Sequence, residues 1–178
     1  MSFTQPIGAA LDLAAFDSGE PALDLWLRDH ATTTEAKRTG RTFVRCEGGR
    51  VAGYYTISAH RLQRAELPRS FGHGNPAEIP AVLLGRLALD RSVQGRGVGG
   101  ALLADALSRI VQATAVVGAR FVVVDALTER AATFYEHHGF RRIPDPPRDP
   151  DVPQPKPPVA ACRLVQKISN VAASLDLT

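Results

Sequence analysis

Hydrophobic and polar residues alternate with two different periods along the first half of this chain, which predicts a helix followed by a hairpin. A helical period spans 19–37, with Ser18 as the predicted cap. Runs of β-branched and aromatic residues at 42–46 and 51–59 flank a Gly-Gly pair, as is typical of a β-hairpin. Residues 60–79 lose the period and contain several prolines and glycines, so they predict an irregular connection.

The second half of the chain repeats a strand-then-helix order and then changes character. Its predicted elements are a central strand at 80–90, a long helix at 97–117, a strand at 120–126, a helix at 129–138 and a closing strand at 160–168. Eight of the thirteen prolines lie in 143–158, which predicts an extended arm or, alternatively, a polyproline II recognition segment. We expect the last ten residues to form a frayed tail.

Length and composition favour one globular domain spanning 1–178. The 178 residues are 44% hydrophobic and 22% charged, enough to bury a core without disulfides. No apolar run is long enough to span a bilayer, and no basic leader precedes the first apolar stretch, so we expect a cytoplasmic protein. Cys46 and Cys162 are far apart and lack metal-ligand spacing, which predicts buried reduced thiols and no metal site.

The net charge of +3 conceals an uneven distribution along the chain. Residues 1–36 hold one basic and six acidic side chains, whereas 37–69 hold eight basic side chains and two acidic ones. The basic residues of 37–69 are nearly all arginine, which suits bidentate contact with phosphates. Charge alone leaves a second interpretation open, namely that these basic side chains only form the solvated faces of strands and loops.

A glycine-rich stretch, QGRGVGGA at Gln94–Ala101, lies between the central strand and the long helix. Unpaired backbone N–H groups at a helix start, together with the helix dipole, favour a phosphate or pyrophosphate there. The stretch is neither a dinucleotide-binding fingerprint, since no acidic residue ends a following strand, nor a Walker loop, since GK[ST] is missing. The alternative is a glycine-rich turn without a ligand.

Two motifs in this region resemble those of the GNAT N-acetyltransferases. Gln94-x-x-Gly97-x-Gly99 resembles their coenzyme A pyrophosphate loop, and an A-x-x-F-Y-x-x-x-G-F signature is matched by Ala131, Phe134, Tyr135, Gly139 and Phe140. The resemblance covers about 40–145. It implies an α/β, single-domain acyl-CoA N-acyltransferase fold, with helices flanking a mixed, mostly antiparallel central sheet that has splayed strands. It also implies acetyl-CoA as co-substrate.

Three further segments resemble the GNAT toxins of type II toxin–antitoxin modules. They are FDSG at 16–19, RTFV at 41–44 and GYYTIS at 53–58. This resemblance implies acetylation of the α-amino group of aminoacyl-tRNA, a block of translation, neutralisation by a ribbon-helix-helix antitoxin, and a homodimer. The proline-rich arm after 143 and the residues Ala126-Leu127 depart from the toxin pattern.

The resemblance also assigns roles at the cofactor site. Tyr135 is expected to protonate the leaving thiolate, or else to be an aromatic residue packed under the cofactor, and the backbone N–H near Leu89 is expected to stabilise the oxyanion. His137 and His138 are expected on the helix surface. No general base is evident, which an α-amine with a pKa of about 8 tolerates. The predicted cofactor-binding residues are Leu87, Ala88, Leu89, Gln94, Gly95, Arg96, Gly97, Val98, Gly99, Gly100, Ala101 and Phe134.

The basic stretch supplies the candidate RNA-binding residues, Lys37, Arg38, Arg41 and Arg45. Arg41 and Arg45 are four residues apart and should share a strand face. Two rival functions remain at this point. One is an ordinary GNAT enzyme that acetylates a small amine or a protein N-terminus, and the other is a non-catalytic protein that binds coenzyme A for stability alone.

Overall fold

The structure, a computed structural model, describes residues 3–8, 10–144 and 162–175. Most of the predicted proline-rich arm, from 145 to 158, therefore lies outside the described residues. So does the beginning of the predicted closing strand, at 160–161.

The helices and strands that the hydrophobic periods predict occur in the predicted order, and several short elements and a C-terminal helix occur in addition. The strands are β1 (Gln5–Pro6), β2 (Arg41–Glu47), β3 (Arg50–Gln63), β4 (Glu78–Leu89), β5 (Phe121–Ala126), β6 (Arg141–Arg142) and β7 (Cys162–Lys167). The helices are α1 (Pro21–Ala36), α2 (Arg69–Gly72), α3 (Val98–Thr114), α4 (Glu129–His137) and α5 (Ile168–Leu175). Short 3-10 turns occupy Arg64–Glu66 and Arg91–Val93.

The seven strands form one mixed sheet in the order β1-β2-β3-β4-β5-β7-β6, with helices flanking it, as predicted. The chain divides into two compact units. The first contains residues 1–59 and 84–113, and the second contains 60–83 and 114–178. The central strands β3 and β4 each contribute residues to both units.

In the first unit, alternation along β3 sends two tyrosines to opposite faces of the sheet. Tyr54 packs edge-on against Phe16 and stacks on Trp26 of α1, whereas Tyr55 stacks on Phe43. The Tyr55 hydroxyl donates a 2.6 Å hydrogen bond to Asp105 of α3. The two faces are thus covered by different helices, which explains why nearly every side chain between Val51 and Thr56 is buried.

In the second unit, β7 pairs antiparallel with both β5 and β6. Phe121 and Val123 on β5, together with Val165 on β7, join Leu62 and Ile79 in one buried cluster. Gln166, the residue after Val165 on β7, faces the opposite side of the sheet from Val165. Its side chain lies next to Gly139, the residue that follows the C-cap of α4, because a Cβ on Gly139 would be 2.8 Å from it. The cluster and α4 therefore lie on opposite faces of these strands.

Several predicted boundaries are wrong. The connection predicted as irregular at 60–79 contains the end of β3, a 3-10 turn, α2 and the first residues of β4. The long helix, predicted to extend to 117, ends at Thr114, and Val117 is 70% exposed. The predicted frayed tail contains α5, which begins at Ile168, where the sequence predicts a strand.

Two smaller predictions also need correction. Ser18 is not the cap of α1, because the N-cap position is Glu20; the Ser18 hydroxyl instead donates a hydrogen bond to Asp24 and accepts one from the Glu20 N–H. Cys46 and Cys162 are free thiols, but both are only half-buried.

Candidate active site

The glycine loop has the backbone shape that an anion site needs. Gly95 and Gly97 adopt φ angles of 73° and 76°, a region that favours glycine, and no atom lies within 4 Å of where a Cβ would stand. Val98 then opens the 17-residue α3, whose first turn carries no acidic residue. Free N–H groups at a helix start beside an open glycine backbone fit a pyrophosphate.

The loop is held in place by Gln94 and Asp90. The Gln94 side-chain amide donates to the carbonyls of Ser18, at 2.8 Å, and Leu89, at 2.9 Å. Asp90 accepts hydrogen bonds from the backbone N–H groups of Asp17 and Ser92. Because its side-chain donor is already used, Gln94 would serve the cofactor by fixing the loop and through its backbone.

One arginine, Arg96, lies in the loop and another, Arg91, precedes it, and the two differ in their contacts. Arg96 is exposed and, within the part of the chain that the structure describes, makes one long 3.4 Å hydrogen bond to the Ser92 carbonyl, so its charge can turn toward a phosphate. Arg91 is paired with Asp17 at 3.3 Å and also contacts the turn at Gly19. Arg96 is therefore the better candidate for binding a cofactor phosphate.

The end of β4 is set by close packing against β3. A Cβ on Gly53 would lie 2.8 Å from the end of the Leu89 side chain and 3.2 Å from the Ala88 carbonyl, so a larger residue would require Leu89 and the β4 backbone to shift. Leu87 and Leu89 are half-buried and Ala88 is buried. Leu87, Ala88, Leu89 and the loop 94–101 all belong to the first unit, as one continuous stretch of chain.

Tyr135 and Phe134 belong to the second unit, on α4. Tyr135 is buried among aromatic rings, 5.3 Å from Phe134 and 5.5 Å from Phe140 between centroids. Burial raises the pKa of Tyr135 well above its usual range, so the phenol keeps its proton at neutral pH.

Among the described residues, the Tyr135 hydroxyl differs from those of Tyr54 and Tyr55 in having no hydrogen-bond partner. The Tyr54 hydroxyl donates to the Leu23 carbonyl and that of Tyr55 to Asp105, at 2.8 and 2.6 Å. The Tyr135 hydroxyl forms no hydrogen bond with the described part of the chain. A neutral phenol whose O–H is not used by the fold can donate to a developing anion.

The two histidines that follow Tyr135 lie on the exposed side of α4, as predicted. The His138 ring nitrogen Nδ1 is 2.8 Å from the Phe134 carbonyl, and the ring packs on Phe134. His138 therefore helps to end the helix.

The four predicted RNA-binding residues separate into two kinds. Lys37 and Arg38 are exposed at the end of α1, and neither side chain has a partner among the described residues. Arg41 pairs with Glu35 at 2.9 Å, and Arg45 pairs with Glu47 at 2.8 Å. Local carboxylates offset the charges of Arg41 and Arg45, so Lys37 and Arg38 are the more available cations.

Arg86 is a candidate anion-binding residue that the sequence analysis missed. Its guanidinium lies 4.0 Å from the centroid of the Trp26 ring, which itself stacks on Tyr54. The side chain is half-buried, and burial lowers its pKa. Within the described ranges no carboxylate pairs with it. A partly desolvated cation without a counter-ion is costly unless an anion binds to it.

Among the described residues, no group of three or more His, Cys, Asp or Glu side chains is placed to hold a metal ion. No helix in the part of the chain that the structure describes is both long and apolar enough to cross a bilayer.

Comparison with known proteins places this geometry in a family. Residues 38–142 match the model of the acetyltransferase (GNAT) domain. A tRNA-acetylating toxin of Mycobacterium tuberculosis is 41% identical over 141 residues, which cover 79% of this chain and 85% of that protein.

Two solved structures are similar over nearly the whole chain. AtaT complexed with acetyl-methionyl-tRNAfMet has a TM-score of 0.80 and 32% identity, covering 98% of each chain. A tyrosine-to-phenylalanine mutant of AtaT, bound to the C-terminus of its antitoxin AtaR and to acetyl-CoA, has a TM-score of 0.74 and 29% identity, covering 97% of this chain and 96% of that one. The chain belongs to the GNAT family of acetyltransferases and, within it, to the group of tRNA-acetylating toxins.

Proposed function

We propose that this protein transfers the acetyl group of acetyl-CoA to the α-amino group of an aminoacyl-tRNA and thereby blocks translation. The observation that carries the proposal is the 41% identity to a tRNA-acetylating toxin over most of both chains. The complex of AtaT with an acetylated methionyl-tRNA supports the same acceptor. A charged tRNA with an acetylated α-amine cannot serve as an ordinary elongation substrate.

The proposed chemistry divides between binding and proton transfer. Acetyl-CoA supplies a thioester, and Gly95, Gly97 and the first N–H groups of α3 would hold its pyrophosphate. Phe134 would pack against the cofactor, and the Leu89 N–H would bind the carbonyl oxygen as it gains charge. Tyr135 would donate its proton to the sulfur that leaves. The tyrosine mutants of AtaT draw attention to the same kind of side chain.

For the acceptor, we propose that Arg86 binds a phosphate near the 3′ end of the tRNA. Arg86 immediately precedes Leu87–Leu89 on β4, which is the proposed acetyl end of the cofactor site. Its guanidinium lies over the Trp26 ring, and a guanidinium held over an aromatic face can still offer N–H groups for a bidentate contact.

Replacing Arg86 with Gln should weaken binding of charged tRNA without affecting the cofactor. Loss of one charged phosphate contact predicts a rise in KM for charged tRNA of roughly tenfold or more and a salt slope smaller by about 0.7–1. Steady-state kinetics at several salt concentrations measure both. The matched control is Arg28→Gln on α1, since Arg28 is exposed and paired with Asp29. Equal effects in the two variants would contradict the role of Arg86.

The pair Lys37 and Arg38 offers a test that separates RNA binding from stability. Arg38 has a φ of 56°, a left-handed conformation just after α1 that costs a residue other than glycine about 1 kcal/mol. Arg38→Gly should therefore keep or raise the melting temperature while weakening tRNA binding. Lys37→Ala should weaken tRNA binding with little change in stability. If Arg38→Gly bound tRNA as well as the unmodified protein, the charge would have no role in RNA contact.

We further propose a cytoplasmic homodimer neutralised by a ribbon-helix-helix antitoxin. The complex of AtaT with the C-terminus of AtaR supports an antitoxin partner of this kind. Residues 1–36 are strongly acidic, which suits a basic partner and disfavours RNA. Sedimentation of the purified protein, alone and with the product of the adjacent gene, tests both assemblies.

Cell-free translation tests the biological effect. The protein should stop translation only when acetyl-CoA is present, and freshly charged tRNA added after removal of the protein should restore it. An acetyltransferase that acts only on small amines or protein N-termini would leave translation running.

A further inference from the structure

Four cations and a histidine lie around the short helix α2 in the second unit, and we call them the α2 patch: Arg64, Arg69, His73, Arg141 and Lys167. Phe71 of α2 packs on Phe121, with ring centroids 6.1 Å apart, so α2 covers the sheet face that Phe121 occupies. Lys167 is opposite Phe121 in the β5–β7 register. Arg141 is opposite Val165, which precedes Lys167 by two residues. Because opposite residues and every second residue of a strand share a face, both cations lie beside α2.

Two cations of the patch lie over the ring of Phe71. The Lys167 Nζ is 5.3 Å and the Arg141 guanidinium is 5.6 Å from the ring centroid. Neither cation pairs with a carboxylate in the part of the chain that the structure describes. Attraction to an aromatic face holds a cation in place without neutralising it. Both charges therefore remain available to an anion.

The other three side chains of the patch line an open cavity of about 450 Å³, formed by residues 64–74. Arg64 donates a 2.9 Å hydrogen bond to the Asn75 carbonyl, which fixes its position. Arg69 and His73 are exposed, and within the described ranges no carboxylate pairs with either of them. A cavity of this volume is in the size range of pockets that hold small ligands, so a sugar–phosphate unit can enter it.

The carboxylates close to α2 in the sequence already have partners. Glu66 accepts a 2.7 Å hydrogen bond from the backbone N–H of Gln63, and Glu78 pairs with Arg61 at 2.9 Å. The patch therefore keeps an excess of positive charge. Its cations are spread around a helix and do not converge on one point, which suits a ligand with many phosphates better than a single phosphate ion.

We propose that the α2 patch binds backbone phosphates of the charged tRNA at a distance from its aminoacyl end. The inference rests on the proposed function and names a second contact surface for the same substrate. The Arg64 N–H donates to the carbonyl of Ala77, the residue just before β4, whereas Leu87–Leu89 form the end of that strand. The patch thus lies at the start of β4 and the proposed acetyl end at its finish, so the contacted phosphates are several nucleotides from the 3′ terminus.

Phosphate contacts of this kind position a nucleic acid without reading its bases. A-form RNA offers chiefly phosphates and 2′-hydroxyls to such a surface. The α2 patch is therefore expected to bind different tRNAs alike and to leave the choice of the aminoacyl group to the acetyl end.

The first test measures tRNA binding without acetyl transfer. Arg69→Gln combined with Lys167→Gln should raise the Kd for deacylated tRNA roughly tenfold or more and lower the salt slope by about 1.4–1.8, as expected for two lost phosphate contacts. Arg69→Lys combined with Lys167→Arg should bind like the unmodified protein. The matched control is Arg28→Gln combined with Arg61→Gln, which removes the same charge from exposed residues that already pair with carboxylates. Its effect on both quantities should be far smaller.

The second test compares two acceptors of different length. With full-length charged tRNA, the double glutamine variant should lose roughly tenfold in kcat/KM, through KM alone. With an aminoacylated CCA trinucleotide, which lacks the distant phosphates, its kcat/KM should equal that of the unmodified protein. An equal loss with both acceptors would place the patch at the aminoacyl end and overturn the inference.

Other results would also overturn it. Unchanged tRNA binding in the folded double glutamine variant would show that the patch does not contact the RNA. If that variant bound tRNA normally but weakened the binding of the protein–antitoxin complex to duplex DNA, the patch would be a DNA surface. A change in its sedimentation would assign the patch to an interface between copies of the chain.

The proposed function and this inference can fail separately. Patch-dependent binding of tRNA by a protein that does not acetylate charged tRNA would remove the proposed function and leave the binding surface. Acetylation of charged tRNA by the unmodified protein, with normal tRNA binding in the double glutamine variant, would remove only the inference.

Discussion

Tyr135→Phe should bind acetyl-CoA with the affinity of the unmodified protein yet turn over about 10² to 10⁴ times more slowly, because only the proton donor is lost. The ring keeps its contacts with Phe134 and Phe140, so the fold should not change. Calorimetry measures the affinity, and single-turnover transfer to charged tRNA measures the chemical step. Expression of this variant should also no longer arrest growth.

The control for this substitution is Tyr54→Phe, which also removes one hydroxyl. Tyr54 donates to the Leu23 carbonyl, so this variant should lose about 1 kcal/mol of stability and keep its turnover. Near-normal turnover in Tyr135→Phe would show that water or another group protonates the thiolate. Loss of acetyl-CoA binding in that variant would assign Tyr135 to cofactor binding.

Gly97→Val should abolish acetyl-CoA binding in a protein that still folds. Gly97 has a φ of 76° and open space where a Cβ would stand, so the new side chain would fill the place proposed for the pyrophosphate. Gly99→Val should act in the same way at the first turn of α3. Titration calorimetry should detect no binding at micromolar concentrations.

Gly74→Val controls for the strain of the substitution itself. Gly74 has a φ of 74° and equally open space, but it lies outside the loop, between α2 and β4. Both valine variants should be destabilised by a similar amount, of about 1–2 kcal/mol or more, and only the loop variant should lose the cofactor. Micromolar binding retained by folded Gly97→Val would place the pyrophosphate elsewhere.

The phosphate loop could be predicted from sequence because its determinants are local. The glycine spacing from Gly95 to Gly100 and the apolar runs on either side determine a strand, a turn and a helix start within a few residues. The same holds for α4, whose cap Thr128 and following glycine Gly139 mark its ends. The boundaries of β3 and α5 could not be read this way, because tertiary pairing and packing decide where those elements end.

Features that depend on distant residues were not predicted. Arg86 and Trp26 are 60 positions apart, and nothing near either residue indicates that a guanidinium will stack on that ring. The Arg41–Glu35 pair likewise joins a strand to the preceding helix and offsets a charge that the sequence counts as available.

Acetyl transfer to charged tRNA in a purified system tests the central claim most directly. The protein is incubated with labelled acetyl-CoA and either charged tRNA, the same tRNA after deacylation, or a mixture of free amino acids and amine-terminated peptides. The account predicts label only with charged tRNA, recovered after nuclease digestion as an N-acetylaminoacyl-adenosine. Label in the free amines or peptides, with none in the charged tRNA, would contradict it.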